Sequence, residues 1–245
     1  MSEDNTIIEN ELKKLGYWND IYSKKNYFGT GPTKLAIFAK ELLEKNSLQK
    51  ILELGCGQGR DCLFFAKQGF DVFGFDISQD AISFVEECRI AENLENLKVV
   101  VHDVTKPLDF NSEFDLIYSN LVLQFFDLNQ LGAIFDNINK IMQKNSLFLF
   151  STKKPGDKYH NFGTKINDDT FEYNRIKRYF FDQDSLRTLL EKNFKILNDE
   201  ELAVQFFYFY SKLNLLSLIW KIKLERDLKI WTSKLLHLII QQLLE

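Results

Sequence analysis

The chain has 245 residues, 45% of them hydrophobic, enough for one sizeable core, read most simply as one α/β domain with an appended piece. A formal net charge of −4 and a pI near 5.6 argue against a duplex nucleic-acid binder, which ordinarily carries a strongly basic face, and favour a small-molecule partner. Cys56, Cys62 and Cys88 form no CxxC pair and share no metal-ligand spacing with the three scattered histidines, so no metal is expected and the thiols read as free in a reducing cytoplasm.

Residues 1–14 are acidic and polar, without the apolar stretch of a secretory signal, and residues 1–45 read as a helical N-terminal cover. From residue 50 onward, short apolar runs at 50–54, 71–76, 97–101, 114–118 and 146–152 alternate with helical patterns at 61–68, 79–93 and 129–144. Such alternation predicts βα units feeding a doubly wound, Rossmann-like, mostly parallel sheet over 46–212. A lid insertion is expected at about 153–181, where Pro155, Gly156, Gly163 and Asp168-Asp169 break the pattern. A helix over 183–193 and apolar runs at 194–197 and 204–210 then form an antiparallel edge, and the leucine-rich segment 213–245 predicts a helical tail.

The strongest motif is Ile51-Leu52-Glu53-Leu54-Gly55-Cys56-Gly57-Gln58-Gly59-Arg60, a buried strand entering a turn with glycine at every second position. Glycines let a ligand approach the backbone closely. Dinucleotide folds use GxGxxG, and here the third glycine comes one residue early. Glu53 would repel a pyrophosphate and attract a ligand carrying an ammonium and a sulfonium, which favours S-adenosylmethionine over NAD. Gly55, Cys56, Gly57, Gly59 and Arg60 are therefore cofactor-site candidates. Asp76 closes the next strand at the separation expected of a ribose-binding carboxylate. Asp103 follows the third strand, placed to accept from an adenine amino group while Val104 or Ile77 packs on the ring.

Glu53 to Arg60, Asp76, Asp103 and the run Phe114-Asp115-Leu116-Ile117-Tyr118-Ser119-Asn120 resemble, in order and spacing, the successive motifs of class I S-adenosylmethionine-dependent methyltransferases over about residues 48–152. Tyr17-Trp18, Arg60-Asp61 and Arg178-Tyr179-Phe180 make the chain similar to the small-molecule branch that includes tellurite-resistance and thiopurine-type enzymes. The resemblance implies that Glu53, Gly55 and Gly57 contact the methionine moiety, Asp76 the ribose, Asp103 the adenine, and Ser119 or Asn120 the methionine end. Gln124 stands where many relatives carry histidine, which argues against a base at that position.

Methyl transfer from a sulfonium needs chiefly in-line positioning, so no catalytic triad is required. Tyr17, Trp18, Tyr22, Tyr27 and Phe28, together with Tyr159, His160, Arg178 and Tyr179, are read as shaping the acceptor pocket, or as ordinary packing and surface residues. His160, Arg178 and Tyr17 are the candidates for a catalytic role, His160 as a proton acceptor and Arg178 as the partner of an anionic acceptor. The basic amphipathic tail 213–245 fits packing on its own domain, a homodimer surface or weak contact with a membrane surface. Two rival functions stand beside methyl transfer to a small molecule: a non-catalytic cofactor-binding module with a partner-recruiting tail, and a lipid or quinone methyltransferase.

Overall fold

The run Lys50–Leu54 carries apolar side chains on both faces and becomes β1, an interior strand exposed only at its first residue. It is the centre of a computed structural model that describes residues 15–110, 112–202 and 205–211. Helix α1 covers residues 15–22, and α2 (Lys34–Asn46) follows a Thr33 N-cap whose hydroxyl accepts the Ala36 amide. Then come α3 (Cys62–Lys67), β2 (Asp71–Asp76), α4 (Gln79–Ala91), β3 (Leu97–Val101), β4 (Leu116–Asn120), α5 (Leu128–Ile141) and β5 (Leu147–Lys153). The chain continues through β6 (Thr164–Asn167), β7 (Thr170–Tyr173), β8 (Ile176–Tyr179), α6 (Gln183–Leu190), β9 (Lys195–Leu202) and β10 (Gln205–Ser211).

The large sheet runs β3-β2-β1-β4-β5-β10-β9, parallel from β3 to β5 and antiparallel at β10 and β9. The expected mostly parallel sheet with an antiparallel edge is therefore what forms. On one face, Leu131, Ile134, Phe135 and Ile138 of α5 and Leu186 and Leu190 of α6 pack on Leu52, Leu54, Ile117, Phe148 and Phe150. Their spacing along α5 gives a single apolar stripe. Side-chain alternation turns Glu53 and Tyr118, which are paired across β1 and β4, toward the opposite face.

Several boundaries differ from expectation. β4 starts at Leu116 rather than 114 and reaches Asn120, because Asp115 is used to accept the Gln49 and Lys50 amides at 2.8 Å. α5 starts at Leu128 because Asp127 and Gln130 form a reciprocal capping box, and it ends at Ile141. α4 stops at Ala91 and α6 at Leu190, both short of the predicted ends. β9 is longer than the run 194–197, since pairing with β10 extends it through polar residues. Within the lid, β6, β7 and β8 form a separate three-stranded antiparallel sheet. The tail 213–245 and residues 1–14 lie outside the described residues. Among the described residues no helix is long and apolar enough to cross a membrane.

Candidate active site

The order of strands reverses between β1 and β4, so their carboxyl ends splay apart and leave a crevice there. Glu53 sits at that point, 3% exposed, with its Oε2 buried and without a hydrogen-bond partner. Burial, and after it the nearby Cys62, Asp61 and Asp76, pushes its carboxyl well above the usual carboxylate range. An orphaned buried acceptor oxygen facing this crevice matches the ammonium or sulfonium of a cationic ligand.

The glycine turn supplies the approach. Gly55 has φ +69°, and a Cβ there would lie 2.5 Å from Val122 Cγ2. Gly57 has φ +52°, and a Cβ would lie 2.8 Å from the Tyr22 hydroxyl. The Cys56 amide donates to the Phe75 carbonyl at 2.9 Å, and the Gly57 amide to Asp76 Oδ2 at 2.9 Å, fastening the turn to the end of β2. The Ser78 amide donates to Asp76 Oδ1 at 3.0 Å. Burial raises the Asp76 carboxyl, and the amides of Ser78, Gly57 and Ile77 oppose that shift.

One cavity of about 1770 Å³ is lined by Glu53, Gly55, Cys56, Gly57, Gly59, Arg60, Asp76, Ile77, Asp103, Val104 and Asn120. That volume exceeds the roughly 300–1,000 Å³ of a single small-molecule pocket, so it has room for a cofactor and an acceptor. Asp103 Oδ1 accepts the Thr105 amide and hydroxyl at 2.9 and 2.8 Å, which fixes the carboxylate's orientation. Ser119 is not on the wall: it is fully buried and its hydroxyl points to the Leu54 carbonyl at 3.4 Å. Asn120 is on the wall, its Oδ1 accepting from Ser151 Oγ at 2.5 Å. Leu121 follows with φ +58°, a strained conformation held by the Ser151 carbonyl and hydroxyl.

Of the other wall residues, His102 was not singled out by sequence, and Gln124 and Asp61 were noted there without a role at the cofactor site. His102 Nε2 and Gln124 Oε1 are buried without partners and line the same cavity. Asp61 accepts from the Thr33 amide, the Thr33 hydroxyl and the Tyr118 hydroxyl, each at 2.7 Å, directly under Glu53's face of the sheet. Alternation from Glu53 on its paired strand was the available signal for Tyr118.

Residues of α1, of the connection to α2 and of the segment after β5, where a cover and a lid were expected, supply the outer wall. Tyr17, Trp18, Tyr22, Tyr27 and Phe28 line the cavity, as do Tyr159, Arg178 and Tyr179. The Arg178 guanidinium on β8 is close enough to the Tyr17 phenol on α1 to oppose the rise that burial gives its pKa, and both residues line the cavity. The Arg178 guanidinium lies 5.4 Å from the Tyr159 ring centre, and Lys153 lies 4.9 Å from it while pairing with the buried Asp157 at 2.7 Å. His160 does not line the cavity. Its Nε2 meets the Asp168 carbonyl and its Nδ1 the Asn161 amide, both at 3.1 Å, with Phe171 and Phe180 edge-on to the ring.

The seven-stranded order, the glycine turn and the acidic ends of β1 and β2 define the fold of class I S-adenosylmethionine-dependent methyltransferases. Structures with this fold include a methyltransferase from Clostridium acetobutylicum (TM-score 0.65, 16% identity, 81% of this chain and 99% of that one). TehB from Haemophilus influenzae also matches (TM-score 0.58, 22% identity, 80% and 67%). The chain belongs to the tellurite resistance protein TehB family, whose profile matches residues 18–193. A probable S-adenosyl-L-methionine-dependent methyltransferase TehB of Haemophilus influenzae (strain 10810) is 32% identical over 91 residues, 37% of this chain. That match spans about a third of the relative's own length (31%). Phosphoethanolamine N-methyltransferase 1 of Triticum aestivum is 28% identical over 160 residues, 62% of this chain and 32% of that one.

Proposed function

We propose that the protein is an S-adenosylmethionine-dependent methyltransferase acting on a small, anionic acceptor. The observation that carries this reading is the partnerless, buried Glu53 Oε2 at the point of strand reversal, in the same cavity that Arg178 lines. The bound cofactor supplies a sulfonium methyl, which is already electrophilic. Glu53 and the Gly55–Gly57 turn would receive the methionine portion, Asp76 the ribose, and Asp103 with Val104 and Ile77 the adenine.

The protein's contribution beyond binding is orientation and exclusion of water. The Arg178 guanidinium lies over the Tyr159 ring, with Tyr17 beside it on the same cavity wall. Lys158, Arg175, Lys177 and Arg178 all line the cavity, and none forms an ion pair among the described residues. A half-buried guanidinium without a counter-ion favours an acceptor that brings one.

Calorimetric titration with S-adenosylhomocysteine and NAD tests the cofactor, and methyl transfer to tellurite and phosphoethanolamine begins the acceptor screen. Binding of the first ligand without NAD, followed by transfer to an anionic acceptor, is the expected result. Binding of NAD alone would overturn the cofactor reading. Cofactor binding without transfer to any acceptor would favour a non-catalytic binding module.

A further inference from the structure

Residues 23–31, joining α1 to α2, form an exposed strap beside the glycine turn and bury little apolar surface. What holds this strap is polar and comes from the turn itself. Gln58 accepts the Tyr27 amide at 3.0 Å and donates to the Tyr22 and Lys24 carbonyls at 2.9 and 3.0 Å. Arg60 donates through Nε to the Gly31 carbonyl at 2.6 Å and through Nη1 to the Phe28 carbonyl at 3.0 Å. Asp61 takes the Thr33 amide and hydroxyl, both at 2.7 Å, where the strap enters α2. Within Gln58-Gly59-Arg60-Asp61, the side chains of Gln58 and Arg60 thus bond the strap and its junction with α1, and Asp61 bonds the cap of α2 that follows.

Tyr22, the last residue of α1 where the strap begins, sets its hydroxyl against Gly57, and its phenol is pushed well above its usual range by burial and by Asp76. Tyr22, Tyr27, Phe28 and Gly31 all line the cavity. A segment tied by surface hydrogen bonds rather than by a core opens at low free-energy cost. We propose that the strap is the gate of the cofactor site and that Gln58, Arg60 and Asp61 are positioning residues that latch it, Arg60 acting on the strap and not on the cofactor. This rests on the cofactor reading given above.

The test uses the full chain with Arg60→Ala, Arg60→Lys and Gln58→Ala; residues 58 and 60 lie outside the core, so these variants are expected to fold. Without ligand, trypsin should cut after Lys24 and Lys25 about tenfold faster in Arg60→Ala than in the parent, with cleavage elsewhere unchanged. Arg60→Lys, which cannot bond both carbonyls in a fixed fork, should fall between them. Equal strap cleavage in parent and variants overturns the latch. By stopped-flow with S-adenosylhomocysteine, Arg60→Ala and Gln58→Ala should raise the association and dissociation rates together and change Kd less than either. A rise in dissociation alone would make Arg60 a cofactor contact and overturn the proposal, and unchanged rates with a lower Tm would reduce the strap contacts to a structural role. If the parent does not bind S-adenosylhomocysteine, the cofactor reading fails, and the cleavage rates still decide whether Arg60 latches the strap.

Discussion

Gly57 donates its amide to Asp76 Oδ2 at 2.9 Å, so the turn that leaves β1 and the carboxylate that closes β2 are one hydrogen-bonded unit. A ligand that uses Asp76 therefore also meets a turn that Asp76 has shaped. Asp76→Ala removes both effects and is expected to weaken S-adenosylhomocysteine binding by about 1.5–3 kcal/mol in calorimetry. An unchanged Kd in a folded variant would remove Asp76 from the site.

Ligand binding is expected to depend on pH through Glu53. Its carboxyl is held above the usual range in the ligand-free fold, so the folded state binds the proton more tightly than the unfolded chain does. Stability of the free protein contributed by this group should therefore fall as pH rises from the ordinary carboxylate range through Glu53's own raised value. A cationic ligand favours the ionised form, so affinity should rise over the same window with a proton released on binding. Titrations in buffers of different ionisation enthalpy measure that proton, and Glu53→Gln should abolish its release.

The glycine turn predicts a pairwise effect. Gly55→Ala places a methyl 2.5 Å from Val122 Cγ2 and forces φ +69° on a residue with a Cβ. Destabilisation of several kcal/mol is expected from the clash and the backbone together. Adding Val122→Ala should recover the clash but leave about 1–2 kcal/mol of backbone cost, read from denaturant midpoints. Full recovery would mean the dihedral carries no strain.

Lys153 and Asp157 form an ion pair with side chains 6% and 2% exposed, at the junction of β5 and the lid. Removing one partner, as in Lys153→Met, leaves a buried charge and should cost about 3–5 kcal/mol. The double variant Lys153→Met with Asp157→Leu should regain most of that loss. Thermal unfolding of the three proteins checks the sign, and equal losses in single and double variants would contradict it.

Arg178→Ala should raise KM for an anionic acceptor by roughly tenfold to a hundredfold while leaving S-adenosylhomocysteine affinity unchanged. If KM holds and cofactor affinity falls instead, Arg178 serves the cofactor end of the cavity.

Much of this architecture was legible in the order of residues, because its determinants are local. Strands buried on both faces are rich in apolar residues, as Ile51-Leu52 and Leu147-Phe148-Leu149-Phe150 are, and caps such as Ser78 and Asp182 act on amides three residues away. Glycine at positions 55 and 57 marked the turn for the same reason: only a residue without Cβ tolerates those dihedrals and neighbours. The lid sheet was not legible. Its strands, such as Thr164–Asn167 with every residue exposed, bury too little to impose a hydrophobic period.

What the sequence by itself determined is the order of the βα units and the acidic and glycine residues that end them, since backbone propensity and side-chain period are properties of neighbours in the chain. Only the tertiary structure decided the direction of side chains whose partners are distant in sequence. It turned Ser119 inward and Asn120 outward, joined Asp61 to Thr33 and Tyr118 across 28 and 57 positions, and set Tyr17 against Arg178. Those contacts follow from strand order and crossover geometry, which bring residues together by position in the sheet and not by spacing along the chain.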